Sequence, residues 1–150
     1  EEIDRQTEAL ASRLNNVQSH AQAQRALGWQ LRKCGEYAEA EIWMERARDS
    51  YQRLGDGAGA SHVLADIGEI YRLQGKYAEA RSYYEESLRL AASVTGPNIR
   101  QAARAHALKG AGTVATWQGD YIAARELNQE SLAIRRGLGT SRSGLSGTTA

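Results

Sequence analysis

Few residues of this 150-residue chain are equipped for chemistry. His62 and His106 stand forty-four positions apart. Two imidazoles brought face to face would offer metal ligands, but a pair without a third Cys, His or carboxylate makes a poor metal site. His20 reads as a surface or capping residue. Cys34 is the lone cysteine, so no internal disulfide forms, which suits a reducing cytosol. No His or Asp is fixed beside it in sequence, and its reading is packing rather than nucleophilic attack. Glu85-Glu86 and the Glu126/Glu130 pair read as solvated helix faces, because a carboxylate perturbed for acid–base work needs a cleft. No Gly-rich phosphate loop ending in Lys-Ser or Lys-Thr occurs, nor HExxH, GxSxG or paired Cys. The sequence therefore offers no catalytic residue, no cofactor site and no metal site.

The elements that position these residues are clearest between Leu64 and Leu90. Leu64, Ile67, Ile70 and Tyr71 recur at three- and four-residue spacing and share one helix face. Gly75 interrupts the pattern, and Tyr77, Ala80, Tyr84, Ser87 and Leu88 form a stripe on a second helix. A shift back by forty residues carries Gly68, Gly75, Tyr77 and Ala80 onto Gly28, Gly35, Tyr37 and Ala40. A shift forward by forty-four carries them onto Gly112, Gly119, Tyr121 and Ala124. Self-similarity at this period is the signature of a solenoid.

The pattern Leu64-x2-Ile67-Gly68-x2-Tyr71 followed by Ala80-x3-Tyr84 resembles the tetratricopeptide repeat, here with a longer period and no Pro at the repeat end. The longer form is similar to repeats of large bacterial ATP-dependent transcriptional regulators, most clearly in QGDYIAARELNQESLAIRRGLG (118–139). The resemblance implies an all-α, right-handed α-α superhelix of three helical hairpins.

The expected domain spans 1–136. A half repeat covers 1–15, with Ile3, Leu10 and Leu14 inward, and three repeats cover 17–54, 58–94 and 99–136. In the first of these, Ala23, Leu27, Gln30 and Leu31 form a weak apolar face. Residues 137–150, rich in Gly, Ser and Thr, read as a flexible tail that cannot bury enough apolar surface to order itself. The absence of an initial Met suggests an excised fragment or a processed product. No capping helix is visible after Ile134, so either another repeat follows in the parent protein or the last helix packs on a partner or on another copy, and the same holds for the first helix. There is no run of eighteen apolar residues to span a membrane. A formal net charge of +1 is too small to indicate nucleic acid. The expected location is cytoplasmic.

In such arrays the first helix of each unit lines a concave groove. Carried over residue by residue, the resemblance assigns one ridge to Gln22, His62 and His106, and another to Arg25, Ala65 and Lys109. A third holds Trp29, Glu69 and Thr113, and a fourth Arg32, Arg72 and Thr116. Lys33, Leu73 and Trp117 run beside it. Arg25, Arg32, Arg72 and Lys109 are opposed by Glu69 alone, and Arg presents a fork of donors matched to carboxylates. Trp29 and Trp117 add the contact area typical of binding hot spots. The leading reading is a non-enzymatic module that binds a protein or peptide bearing acidic groups, as the sensor or scaffold part of a bacterial regulator. Two others are self-association through the uncapped ends, and a metal-dependent enzyme using His62 and His106.

Overall fold

The computed structural model describes residues 2–143, with the side chains of residues 2–5, 7, 11 and 138–143 left out of the description. Six helices follow one another: α1 (Glu2–Lys33), α2 (Tyr37–Arg53), α3 (Gly57–Leu73), α4 (Tyr77–Ala92), α5 (Pro97–Trp117) and α6 (Tyr121–Ser143). They pair as antiparallel hairpins, α1 with α2, α3 with α4 and α5 with α6, and successive hairpins stack through α2 on α3 and α4 on α5. The described chain is an all-α solenoid without strands.

Glycine sets the corners. Gly35, Gly75 and Gly119 close the three hairpin turns with positive φ, which an L side chain rarely adopts. In each turn the residue after the glycine donates its N–H across the helix end, Glu36 to the Leu31 carbonyl, Lys76 to Tyr71 and Asp120 to Ala115. Between hairpins, Asp56 caps α3 by accepting the Gly59 N–H at 2.9 Å, and Pro97 opens α5 directly after Gly96.

Each hairpin closes where a small residue meets a larger one sixteen positions on. Gly28 faces Met44, Gly68 faces the Tyr84 ring, and Gly112 faces Asn128. These contacts are equivalent under the forty- and forty-four-residue shifts, so the sequence repeat is a structural repeat. Tyr84 also touches Gly110 of the following hairpin, and a Cβ there would overlap its ring. At the far end of the hairpins, serines bridge buried backbone. Ser61 and Ser87 each donate to the other's carbonyl, at 2.9 and 2.7 Å, and Ser131 donates to the Ala105 carbonyl at 3.1 Å. Two clusters form the core, one around Met44, Val63, Ile67 and Ile70, the other around Ala80, Tyr84, Ala111 and Val114.

Four expectations are corrected. First, α1 is unbroken from Glu2 to Lys33, with no boundary between a half repeat 1–15 and a repeat beginning at 17. Asn15 and Asn16 are weak helix formers but not breakers, and extending a formed helix is far easier than nucleating a new one. Leu10 and Leu14 are 57% and 49% exposed rather than inward, because no described helix lies against that half of α1; the Ile3 side chain lies outside the described residues. Second, the inward face of α1 is Ala21, Gln24, Gly28 and Leu31, with Gln24 accepting from buried Ser50 at 2.8 Å, whereas Ala23, Leu27 and Gln30 are exposed. Third, α6 continues through Ser143, so 137–143 extend the helix rather than begin a tail. Residues 144–150 lie outside the described residues. Fourth, Cys34 is exposed rather than packed.

The two Tyr84 contacts give a test. Overpacking costs ~1–3 kcal/mol, more than the ~1 kcal/mol by which Ala exceeds Gly in a helix interior. Gly110→Ala is expected to lower the thermal midpoint measured by circular dichroism. Gly68→Ala, whose methyl would meet the ring at 3.1 Å, should leave it nearly unchanged.

Candidate functional site

The first helices of the hairpins do not stand at equal spacing. α3 and α5 pack closely, because Ala65 and Gly110 let them approach, while α1 and α3 barely touch. The gap between α1 and α3 is occupied by polar and aromatic groups. Trp29 stands in it with the Arg32 guanidinium 4.8 Å and the Arg25 guanidinium 5.8 Å from its ring centre. Such cation–π contacts hold a ring upright in a groove that water still reaches.

Trp29 divides the groove into two compartments. One has a volume of about 330 Å³ and is lined by Trp29, Arg32, Asp66, Glu69, Arg72, Tyr84, His106, Lys109, Thr113 and Arg135. The other, of about 530 Å³, is more open and is lined by Gln22, Arg25, Trp29, Gln30, Lys33 and Tyr51. The structure thus brings together most of the residues expected in the groove. Thr116 and Trp117 line neither compartment. Thr116 donates to the Gly112 carbonyl of its own helix at 2.9 Å, and Trp117 stacks against Tyr77 with ring centres 6.2 Å apart. His62 also lines neither, but its ring lies 5.1 Å from that of His106, so the two histidines do meet across adjacent hairpins.

Asp66 is the residue that sequence reasoning missed. It is only 3% exposed. Arg25 Nε donates to its carboxylate at 2.7 Å, and His106 Nε2 lies 3.8 Å from its other oxygen. Burial alone would raise the Asp66 pKa; the nearby His106 ring, the charge and hydrogen bond of Arg25, and a contribution from Trp29 outweigh it and hold the carboxyl below its ordinary range. One signal was available in the sequence. The equivalent positions in the other hairpins are Ala26 and Gly110, so an acid at a position that otherwise carries a small residue is a departure from the repeat. Arg135 was also missed, since it reaches the groove from α6 and not from a first helix.

The expectation that Glu69 alone opposes the groove cations is therefore corrected. Arg25 is neutralised by Asp66. Arg72 holds Glu69 through both nitrogens of its fork, Tyr84 donates to the same carboxylate at 3.1 Å, and Arg32 lies 4.0 Å away. Burial would raise the Glu69 pKa, but the Arg72 hydrogen bond and charge bring it below the usual carboxylate value. Lys109 and Arg135 have no ion-pair partner among the described residues, and the Thr113 hydroxyl is turned to the Lys109 carbonyl of its own helix. No group of three His, Cys, Asp or Glu side chains able to hold a metal occurs among the described residues.

Burial pushes His62 below its ordinary value of 6.5, and the charges of His106 and Arg25 push the same way. Below about pH 6.5 the unfolded chain takes up a proton that the folded chain accepts only at lower pH, so stability falls as acid is added. Asp66, whose folded pKa is depressed, acts in the same direction at more acid pH, from below its ordinary 3.8. Thermal midpoints measured between about pH 7 and pH 5 should therefore decline, and His62→Gln should flatten the decline. Asp66→Asn should lower stability at pH 7 by ~1–3 kcal/mol, because Arg25 loses its counter-charge while remaining largely covered.

Two tetratricopeptide-repeat family models match the sequence, one over residues 19–93 and the other over residues 104–139. No curated protein matches it at a significant level. The first match covers half of the chain, and the two together take in all three hairpins and their equivalent Gly28, Gly68 and Gly112 crossings. On the repeat, the fold and the matched models alike, the chain belongs to the tetratricopeptide-repeat family.

Proposed function

We propose that the chain is a non-enzymatic interaction module whose concave groove receives an extended or helical protein segment carrying an acidic group. The repeats support a protein-binding or scaffold role. The observation that carries the finer reading is the charge balance of the smaller compartment. Glu69 is already claimed by Arg72, Arg32 and Tyr84, and Asp66 by Arg25 and His106. Lys109 and Arg135 are left facing the same cavity without a counter-charge. A carboxylate entering from a partner would meet these two cations, and Trp29 would bear on the residue beside it. The more open compartment, floored by Tyr51 and walled by Trp29, suits an apolar side chain of the same segment.

The wider setting belongs to the same proposal. The similarity of 118–139 to repeats of bacterial ATP-dependent regulators favours a sensor or scaffold segment in a cytoplasmic regulatory protein. The exposed free thiol of Cys34 favours a reducing compartment. No helix among the described residues is long and apolar enough to cross a membrane.

Panning a random-peptide display library against the chain tests this reading. Asp and Glu should be enriched among the retained peptides. The double reversal Lys109→Glu/Arg135→Glu should weaken binding of a retained acidic peptide by at least about tenfold, since each such charge contact contributes on the order of 1 kcal/mol or more. Arg25→Glu is the poorer probe, because it also breaks the pair with Asp66. Peptides without acidic enrichment, or equal binding by the double variant, would contradict the assignment.

A further inference from the structure

We propose that the acidic group received by the smaller compartment is a phosphorylated side chain of a partner protein rather than a carboxylate. This rests on the groove reading above and names the ligand class of that same site. The compartment is recessed between helices. Trp29 and Arg32 of α1 form one wall, and His106, Lys109 and Thr113 of α5 form the other. Asp66, Glu69 and Arg72 of α3 lie between them, and Arg135 reaches in from α6.

The carboxylates of this compartment do not balance its cations. Asp66 is matched by Arg25 at 2.7 Å. Glu69 is divided between two guanidiniums. Arg72 grips it through both nitrogens of its fork, and Arg32 stands 4.0 Å away. One negative charge cannot neutralise two positive ones, so the floor of the compartment is itself positive. Trp29, whose ring centre is 4.8 Å from the Arg32 guanidinium, holds that group in place but carries no net charge to cancel it. Lys109 and Arg135 add two further charges without an ion-pair partner among the described residues. The excess does not depend on α6, because the shared Glu69 and the free Lys109 produce it on α1, α3 and α5 alone.

A carboxylate brings one charge and two acceptor oxygens, and it would leave part of this excess unmet. A phosphoryl ester brings nearly two charges at neutral pH and three strong acceptor oxygens. Its tetrahedral oxygens can accept from opposite walls at once. Donors stand on both walls. At 4.0 Å Arg32 is too far from Glu69 to hydrogen-bond it, so its fork of N–H groups is open to a ligand. The Lys109 ammonium offers three donors from the facing helix. The Arg32 side chain is only 17% exposed, so a charge contact made there is less screened by salt than one on an open surface.

Binding of matched peptides to the immobilised 150-residue chain tests the proposal. Random-sequence libraries are prepared that are identical except for a central phosphoserine, phosphotyrosine, Glu or Ala. A phosphorylated library should be retained best, at a pH above the second phosphate pKa of about 6. A peptide recovered from it should bind at least about tenfold more tightly than its own Glu counterpart, and phosphatase treatment should abolish that advantage. Arg32→Gln and Lys109→Gln should each reduce the preference for phosphate over Glu by several-fold. Unchanged circular dichroism and thermal midpoint would show that both variants remain folded. Equal retention of the Glu and phosphorylated libraries would overturn this proposal and leave the carboxylate reading standing. Retention of neither over the Ala library would overturn both. Inorganic phosphate competing as well as the phosphopeptide does, or a phosphate preference untouched by both substitutions, would also overturn the assignment.

Discussion

The lodging of one aromatic ring between two glycines governs the spacing of this solenoid. Tyr84 fills the space over Gly68 in its own hairpin and over Gly110 in the next. A side chain of its size buries roughly 150–250 Å², and the overlap that a Cβ would make falls at Gly110, while the space over Gly68 is merely tight. The ring therefore sets both the closure of α3 on α4 and the approach of α5. Its hydroxyl, donated to Glu69, ties that packing to the groove floor. Burial and the Glu69 charge both raise the pKa of the phenol, so it remains a donor. Where the first and second hairpins meet, the equivalent contact is softer. Met44 replaces the ring, and Asp66 stands where Gly110 stands. Asp66 pairs with Arg25 of α1 there, and α1 and α3, between which Trp29 stands, touch much less than α3 and α5 do.

A buried carboxylate is costly unless it is paired, and the pairing decides what surrounds it. Asp66 draws Arg25 from α1 and His106 from α5, so one side chain on the middle helix reaches both neighbours. The hairpins are thus joined by apolar packing on the α2–α3 and α4–α5 side, and by ion pairs and hydrogen bonds on the groove side. The same pairing narrows what the groove can recognise. Most of its cations are spent internally, and the charge available to a partner is concentrated at Lys109 and Arg135, away from the arginine-rich first helix.

The fold was largely legible in the sequence, because the crossing glycines Gly28, Gly68 and Gly112 and the turn glycines Gly35, Gly75 and Gly119 are there for backbone reasons that recur in every unit. A crossing needs a small residue and a tight turn needs positive φ, and both demands leave a fixed residue type at a fixed spacing. What was not legible depended on neighbours. Ala23, Leu27 and Gln30 carry the pattern of a buried face, but burial there requires a preceding hairpin. Leu10 and Leu14 have inward spacing, yet no helix among the described residues covers them. The continuity of α1 through Asn15 and Asn16 follows from the absence of a breaker, a weaker signal than the apparent half repeat. In the groove, the residues contributed by first helices were found by their register. Asp66 falls between the ridges assigned by register, at a position that carries Ala26 and Gly110 in the other units, and Arg135 comes from a second helix.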